Sequence, residues 1–167
     1  MGLGGHRWIH EQVAKRGDLT GPNPTDRAKR GVKRSLLTDG RGVPLAAVIA
    51  GANVHDSKLV CSTMDSIVLR APRGPRRPRN VCLDKGYDFP IVRCEIRRRY
   101  ATPHIRKRGE SALLGRVYGR PRRWVVERTG AWLNRFRCLL VRWERIAANH
   151  LGLLHLGCAL IAYQQAC

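Results

Sequence analysis

The stretch Ser35-Leu36-Leu37-Thr38-Asp39-Gly40-Arg41-Gly42-Val43-Pro44-Leu45-Ala46-Ala47-Val48-Ile49-Ala50 decides the fold class. Two apolar runs flank an Asp-Gly pair. That pair tolerates the positive φ of a tight hairpin turn, so the runs read as two antiparallel strands. Gly51-Ala52-Asn53-Val54-His55-Asp56-Ser57 follows, and Asp56 or Ser57 is suited to cap a helix over about 58–69.

Moving outward, Val81-Cys82-Leu83 reads as a short buried strand ended by Asp84-Lys85-Gly86-Tyr87. A helix is expected over 90–100, a strand at Thr102-Pro103-His104-Ile105, and a polar loop over 107–120. Trp124, Val125, Trp132, Leu133 and Phe136 fall near helical spacing, which predicts a helix over 122–140. The apolar segment 150–164 predicts another helix that packs on the sheet. The order of strands and helices implies an α/β fold with a mixed sheet. Residues 1–31, rich in Gly, Pro and charge, read as poorly structured, with a short strand at Trp8 to Val13 as the one candidate. Residues 32–167 then form the main domain. Residues 71–80 read as a Pro- and Arg-rich linker.

The 167 residues include 32 Lys and Arg against 12 Asp and Glu, a formal net charge of +20, and 43% are hydrophobic. That apolar content argues against a disordered chain. The basic residues are spread along the chain, and such a field attracts a polyanion, most commonly nucleic acid. A solvated basic surface is the plainer alternative. Six cysteines form no CxxC pair, and no His sits at zinc-finger spacing, so reduced thiols in a cytoplasmic protein are the simplest reading. The apolar run near Leu151 to Tyr163 is too short to span a bilayer.

Two acids stand in special contexts. Asp84 ends a buried strand, where ligand and catalytic groups gather in open α/β sheets. Glu127 lies among Arg122, Arg123 and Arg128 near the start of a helix. Carboxylates brought together can hold Mg²⁺, a hard ion that prefers oxygen ligands. Two such ions can clamp the attacking and leaving oxygens of phosphodiester exchange. The structural alternatives are a turn residue at Asp84 and an ion pair of Glu127 with Arg123 or Arg128. His55-Asp56 reads either as an acid–base pair or as a cap beside a buried His, and Asp88 as a helix cap before Pro90. Trp124, Trp132 and Phe136 could stack on bases, but their spacing favours core packing.

Several stretches, taken in order, resemble insertion-sequence-5-type bacterial transposases of the DDE class. They are Thr20-Gly21-Pro22-Asn23-Pro24-Thr25-Asp26-Arg27, Asp39 to Ala46, Gly51-Ala52-Asn53-Val54-His55-Asp56, Leu83-Asp84-Lys85-Gly86-Tyr87-Asp88, Arg123-Trp124-Val125-Val126-Glu127-Arg128-Thr129 and Ala131 to Arg137. The resemblance implies an RNase H-like catalytic domain with an Asp-Asp-Glu triad and Mg²⁺, or Mn²⁺, as cofactor. It assigns the second acid to Asp84 and the third to Glu127, 43 residues apart in the numbering. It implies DNA as partner, at transposon ends and target, a homo-oligomer on that DNA, and a cytoplasmic, nucleoid-associated location. Arg123 matches a basic position before the glutamate. Arg135 lies near a downstream one, with Asn134 as the other match, and Tyr118 lies close to an upstream Tyr. Arg128, Arg76, Arg77 and Arg79 are further candidate DNA contacts.

The departure is the first acid. The family places an Asp on the first strand, roughly a dozen residues before Thr-Gly-Pro. Here Gly5-His6-Arg7-Trp8-Ile9-His10-Glu11-Gln12 contains none, and Glu11 is a poor positional match. Asp18 and Asp26 lie too close to Thr20, and Asp39 belongs to the hairpin turn. The N-terminal strand is therefore expected to be incomplete. A truncated gene or the downstream frame of a frameshifted gene, with an upstream-frame polypeptide as partner, would account for it. The isolated chain is then expected to be poorly active. A non-catalytic DNA-binding remnant or regulatory protein is the competing function. An RNA-binding protein is a third, disfavoured by the acids and the apolar C-terminal helix.

Overall fold

A computed structural model describes residues 3–14, 17–24, 26–67, 78–107 and 123–166; for 3–12 and 123 it describes the backbone alone. Among the described residues seven strands form one sheet. They are β1 (Leu3–Val13), β2 (Gly21–Pro22), β3 (Arg30–Asp39), β4 (Pro44–Gly51), β5 (Asn80–Leu83), β6 (Thr102–Ile105) and β7 (Val141–Arg142). Four α-helices accompany them: α1 (Asp56–Asp65), α2 (Pro90–Arg98), α3 (Arg123–Leu133) and α4 (Ala147–Ala166).

The five longer strands lie in the order β4-β3-β1-β5-β6. The β4, β3 and β1 pairings are antiparallel. On the other side of β1, β5 and β6 continue the sheet in parallel. The fold is thus mixed α/β. The hairpin forms where Asp-Gly predicts it. Asp39 Oδ1 accepts the backbone N–H groups of Arg41 and Val43, each at 2.8 Å, closing the turn. Gly42 sits at φ +89°, a conformation that suits glycine.

Strand alternation on β3 sorts the core into two layers. Val32 and Leu36 face a cluster with Ala47, Ile49, Val126, Leu133, Leu139, Leu154 and Ile161, which puts α3 and α4 on one face. Ser35, one step out of phase, exchanges a 2.8 Å hydrogen bond with Thr63 of α1. Val81 and Leu83 join Val60, Met64, Tyr87, Val92, Ile96 and Ile105, so α1 and α2 cover the opposite face. β3 is buried along nearly its whole length, as a strand covered on both faces must be.

Four expectations differ from the structure. Residues 1–31 are not poorly structured throughout: Leu3–Val13 is a central strand that contains the Trp8 to Val13 candidate, paired with β3 from Leu3↔Asp39 to Gln12↔Gly31 and with β5. Its sequence lacks clean alternation, and its state is set by its two neighbours. The cap of α1 is His55, whose Nδ1 accepts from Ser57 N, not Asp56 or Ser57. Asp56 instead pairs with Lys33 of β3, whose Nζ also donates to the Val54 carbonyl at 2.8 Å. The helix expected over 122–140 ends at Leu133, and a 3-10 turn at Arg137–Leu139 leads into β7. Asp88 does not cap α2; its Oδ1 receives two hydrogen bonds from Arg93, at 3.0 and 2.7 Å. Of the linker expected over 71–80, residues 71–77 lie outside the described residues and Asn80 begins β5; of the loop expected over 107–120, residues 108–120 lie outside them.

Candidate active site

Asp84 follows the last residue of β5 with extended dihedrals, φ −69° and ψ 158°. Its Oδ1 accepts the Lys85 N–H at 2.7 Å and starts the 3-10 turn Lys85–Tyr87. Tyr87 is buried in the core and anchors that turn. Since Leu83 faces α1 and α2, alternation puts Asp84 on the opposite face, the one covered by α3. The carboxylate is exposed there, at the carboxyl end of a parallel strand.

Glu127 belongs to α3, the helix that covers that face. The helix buries Val125, Val126, Thr129, Gly130 and Leu133, and leaves Trp124, Glu127 and Ala131 exposed along one stripe. α3 packs across β1 and β3. Its register against the sheet is held by two contacts to the β3–β4 turn. Thr129 Oγ1 donates to the Gly42 carbonyl at 2.6 Å, and the Arg128 guanidinium donates to the Arg41 carbonyl. A Cβ on Gly42 would lie 3.1 Å from Thr129 Oγ1 and from Arg128 Nη2, so glycine also permits this approach. Both tethers directly follow Glu127 in sequence. The turn thereby positions the helix that carries the acid.

The candidate DNA contacts divide. Arg128 lies between Trp124 and Trp132, its Cζ 4.8 Å and 4.9 Å from their ring centroids, and is turned to internal contacts. Arg135 and Arg79 are exposed. Arg123 starts α3, with only its backbone described; Arg76, Arg77 and Tyr118 lie outside the described residues. Asn134 is exposed as a residue, yet its Oδ1 accepts from Arg34 at 2.9 Å. Trp132 and Phe136 pack against the core, whereas Trp124 is 54% exposed. His55 is exposed and committed to its cap, so it is not the buried histidine considered from sequence.

The Thr20-Gly21-Pro22 and Gly51-Ala52-Asn53 motifs meet at one edge. A Cβ on Gly21 would fall 1.9 Å from Asn53 Oδ1, so only glycine fits against that side chain. These motifs are architectural; the acids stand elsewhere.

The described residues do not fit a three-carboxylate metal cage. Among the described residues no group of three His, Cys, Asp or Glu could hold a metal ion. Sequence reasoning missed one position. β1 and β5 pair in parallel, Gly5 with Cys82 and His6 with Leu83, so the next β1 residue beside Asp84 is Arg7. The signal was its spacing, thirteen residues before Thr20. It stayed hidden because only Trp8 to Val13 was legible as a strand, which leaves Arg7 just outside it.

Among the described residues no helix is long and apolar enough to cross a membrane. The family model described as Transposase DDE domain matches residues 10–162. A protein of Burkholderia cepacia, named as a candidate transposase for insertion sequence element IS402, is 46% identical over 149 residues. That match covers 86% of this chain and 68% of the relative.

Proposed function

The chain belongs to the DDE-domain transposases of insertion sequences, and from that membership we propose that it binds DNA through a basic surface around an acid site incomplete within this chain. The observation that supports this reading is Asp84 at the end of β5, beside β1, on the face covered by α3, the helix that carries Glu127. The strand order β4-β3-β1-β5-β6, antiparallel on one side of β1 and parallel on the other, supports an RNase H-like domain.

Transposases of this family use divalent metal ions; Mg²⁺, or Mn²⁺, is the ion proposed for a complete site. Asp84 and Glu127 are the acids this chain contributes. Arg135, Arg79 and Arg123 are proposed to hold phosphate, with Arg76 and Arg77 adding to the same field. The substrates are transposon ends and target DNA, met in the cytoplasm at the nucleoid. A second copy on the DNA and an upstream-frame polypeptide are the protein partners that this reading admits.

Binding of a labelled duplex, followed by fluorescence anisotropy across salt concentrations, tests the proposal. The logarithm of affinity should fall linearly with that of salt concentration, with a slope of about −0.9 for each phosphate neutralised. Salt-insensitive or undetectable binding would defeat it. The second reading is a DNA-binding protein without catalysis, favoured by the misfit of the described acids to a metal cage. Asp84→Ala separates the two: binding persists under both, and cleavage is lost only where there was an enzyme.

A further inference from the structure

We propose that the site is closed to divalent cations by a replacement in place: Arg7 holds the β1 position that a third carboxylate would need. The inference rests on the proposed roles of Asp84 and Glu127 and goes beyond them, because it gives the reason the site is incomplete. A missing strand is not that reason. β1 is present for eleven residues and sits between β3 and β5 at the centre of the sheet.

Two independent registers fix the position. From one side, His6 pairs with Leu83 in parallel, so Arg7 is the neighbour of Asp84. From the other side, Arg7 pairs with Leu36 of β3, and Leu36 belongs to the core beneath α3 and α4. Opposed residues of paired strands share a face. Arg7, Leu36 and Asp84 are therefore three adjacent positions on the face that α3 covers. Glu11, the one acid of β1, pairs with Val32, four residues further along and away from Asp84.

A guanidinium stays protonated at any physiological pH and offers only donors. It cannot ligate a cation. Relative to a carboxylate at this position, arginine shifts the local charge by two units in the direction that repels a metal ion. The same change adds attraction for phosphate. The strand supplying the position lies in this chain, so a polypeptide from another frame would have no vacancy on β1 to fill.

The test is Mn²⁺ binding, followed by electron paramagnetic resonance of the free ion, on the full chain and on Arg7→Asp and Asp84→Ala. Duplex binding is measured beside it as the readout of the underlying DNA-binding proposal. The wild type should show no Mn²⁺ binding that depends on Asp84. Arg7→Asp should gain saturable binding, roughly tenfold or more tighter than wild type, since ligand charge count tunes such affinities over decades. Adding Asp84→Ala should remove the gain. Folded Arg7→Asp that binds no Mn²⁺ would overturn the proposal. So would wild-type binding that Asp84→Ala abolishes, a comparison that stands even if Arg7→Asp does not fold.

Discussion

Thr129 Oγ1 donates to the Gly42 carbonyl across 2.6 Å and 87 residues of sequence, tying α3 to the β3–β4 turn. The hydroxyl is buried and also lies 3.1 Å from the Val125 carbonyl. This contact couples a local feature, the Asp39-Gly40 turn, to the placement of Glu127. Thr129→Val keeps the shape and removes the donor. It should cost about 1–3 kcal/mol, the range for leaving a buried partner unsatisfied. Urea unfolding checks this, and Thr129→Ser should recover most of the loss.

Arg128 and Arg135 should separate stability from DNA contact. Arg128 lies between Trp124 and Trp132 and reaches the turn, so Arg128→Ala should destabilise the fold by about 1–2 kcal/mol through lost packing and cation–π contact. Arg135 is exposed. Arg135→Ala should leave the thermal midpoint in place and make the salt slope of DNA binding shallower by about 1. Thermal denaturation and anisotropy on both variants read the two effects apart.

Arg34 is buried to 1% exposure, with its Nη2 on Asn134 Oδ1 at 2.9 Å. Asn134→Ala takes a partner from a buried charge and should cost about 1.5–3 kcal/mol, the range for hydrogen bonds to charged groups. Arg34→Met, which removes the charge and keeps much of the volume, should cost less than that. Chemical denaturation of the two variants orders them.

Burial pushes the Cys158 thiol up to about 12. An unfolded thiol ionises near 8.5, so the folded chain holds the extra proton between these values. The stability this contributes is fully present below about pH 8.5 and is lost as pH rises toward 12. At pH 8 Cys158 should alkylate far more slowly than Cys94 and Cys138, which are exposed. Peptide mapping after a timed iodoacetamide pulse measures the order.

Much of the fold was legible because its signals are local. Asp39-Gly40 marks a turn by its own backbone preference, and Val81-Cys82-Leu83 is short, apolar and ended by Asp84. β1 was legible only from Trp8 to Val13. Gly4, Gly5, His6 and Arg7 carry no strand pattern, and their strand state comes from pairing with β3 and β5. The end of α3 was hidden for a similar reason. Apolar spacing continues through Phe136, but the chain turns where Asn134 meets Arg34, a residue 100 positions away. Of the site, the resemblance placed Asp84 and Glu127 in the sequence. The neighbour of Asp84 could be found only after the register of β1 was known.

On the proposed function, this transposase domain holds DNA without the acids to cut it alone. The most direct measurement is strand cleavage by the purified 167-residue chain on labelled duplexes carrying the element's own ends, with Mg²⁺ and with Mn²⁺. Salt-dependent binding is expected, with cleavage no greater than in the Asp84→Ala variant. Metal-dependent cleavage by the wild-type chain that Asp84→Ala abolishes would contradict it.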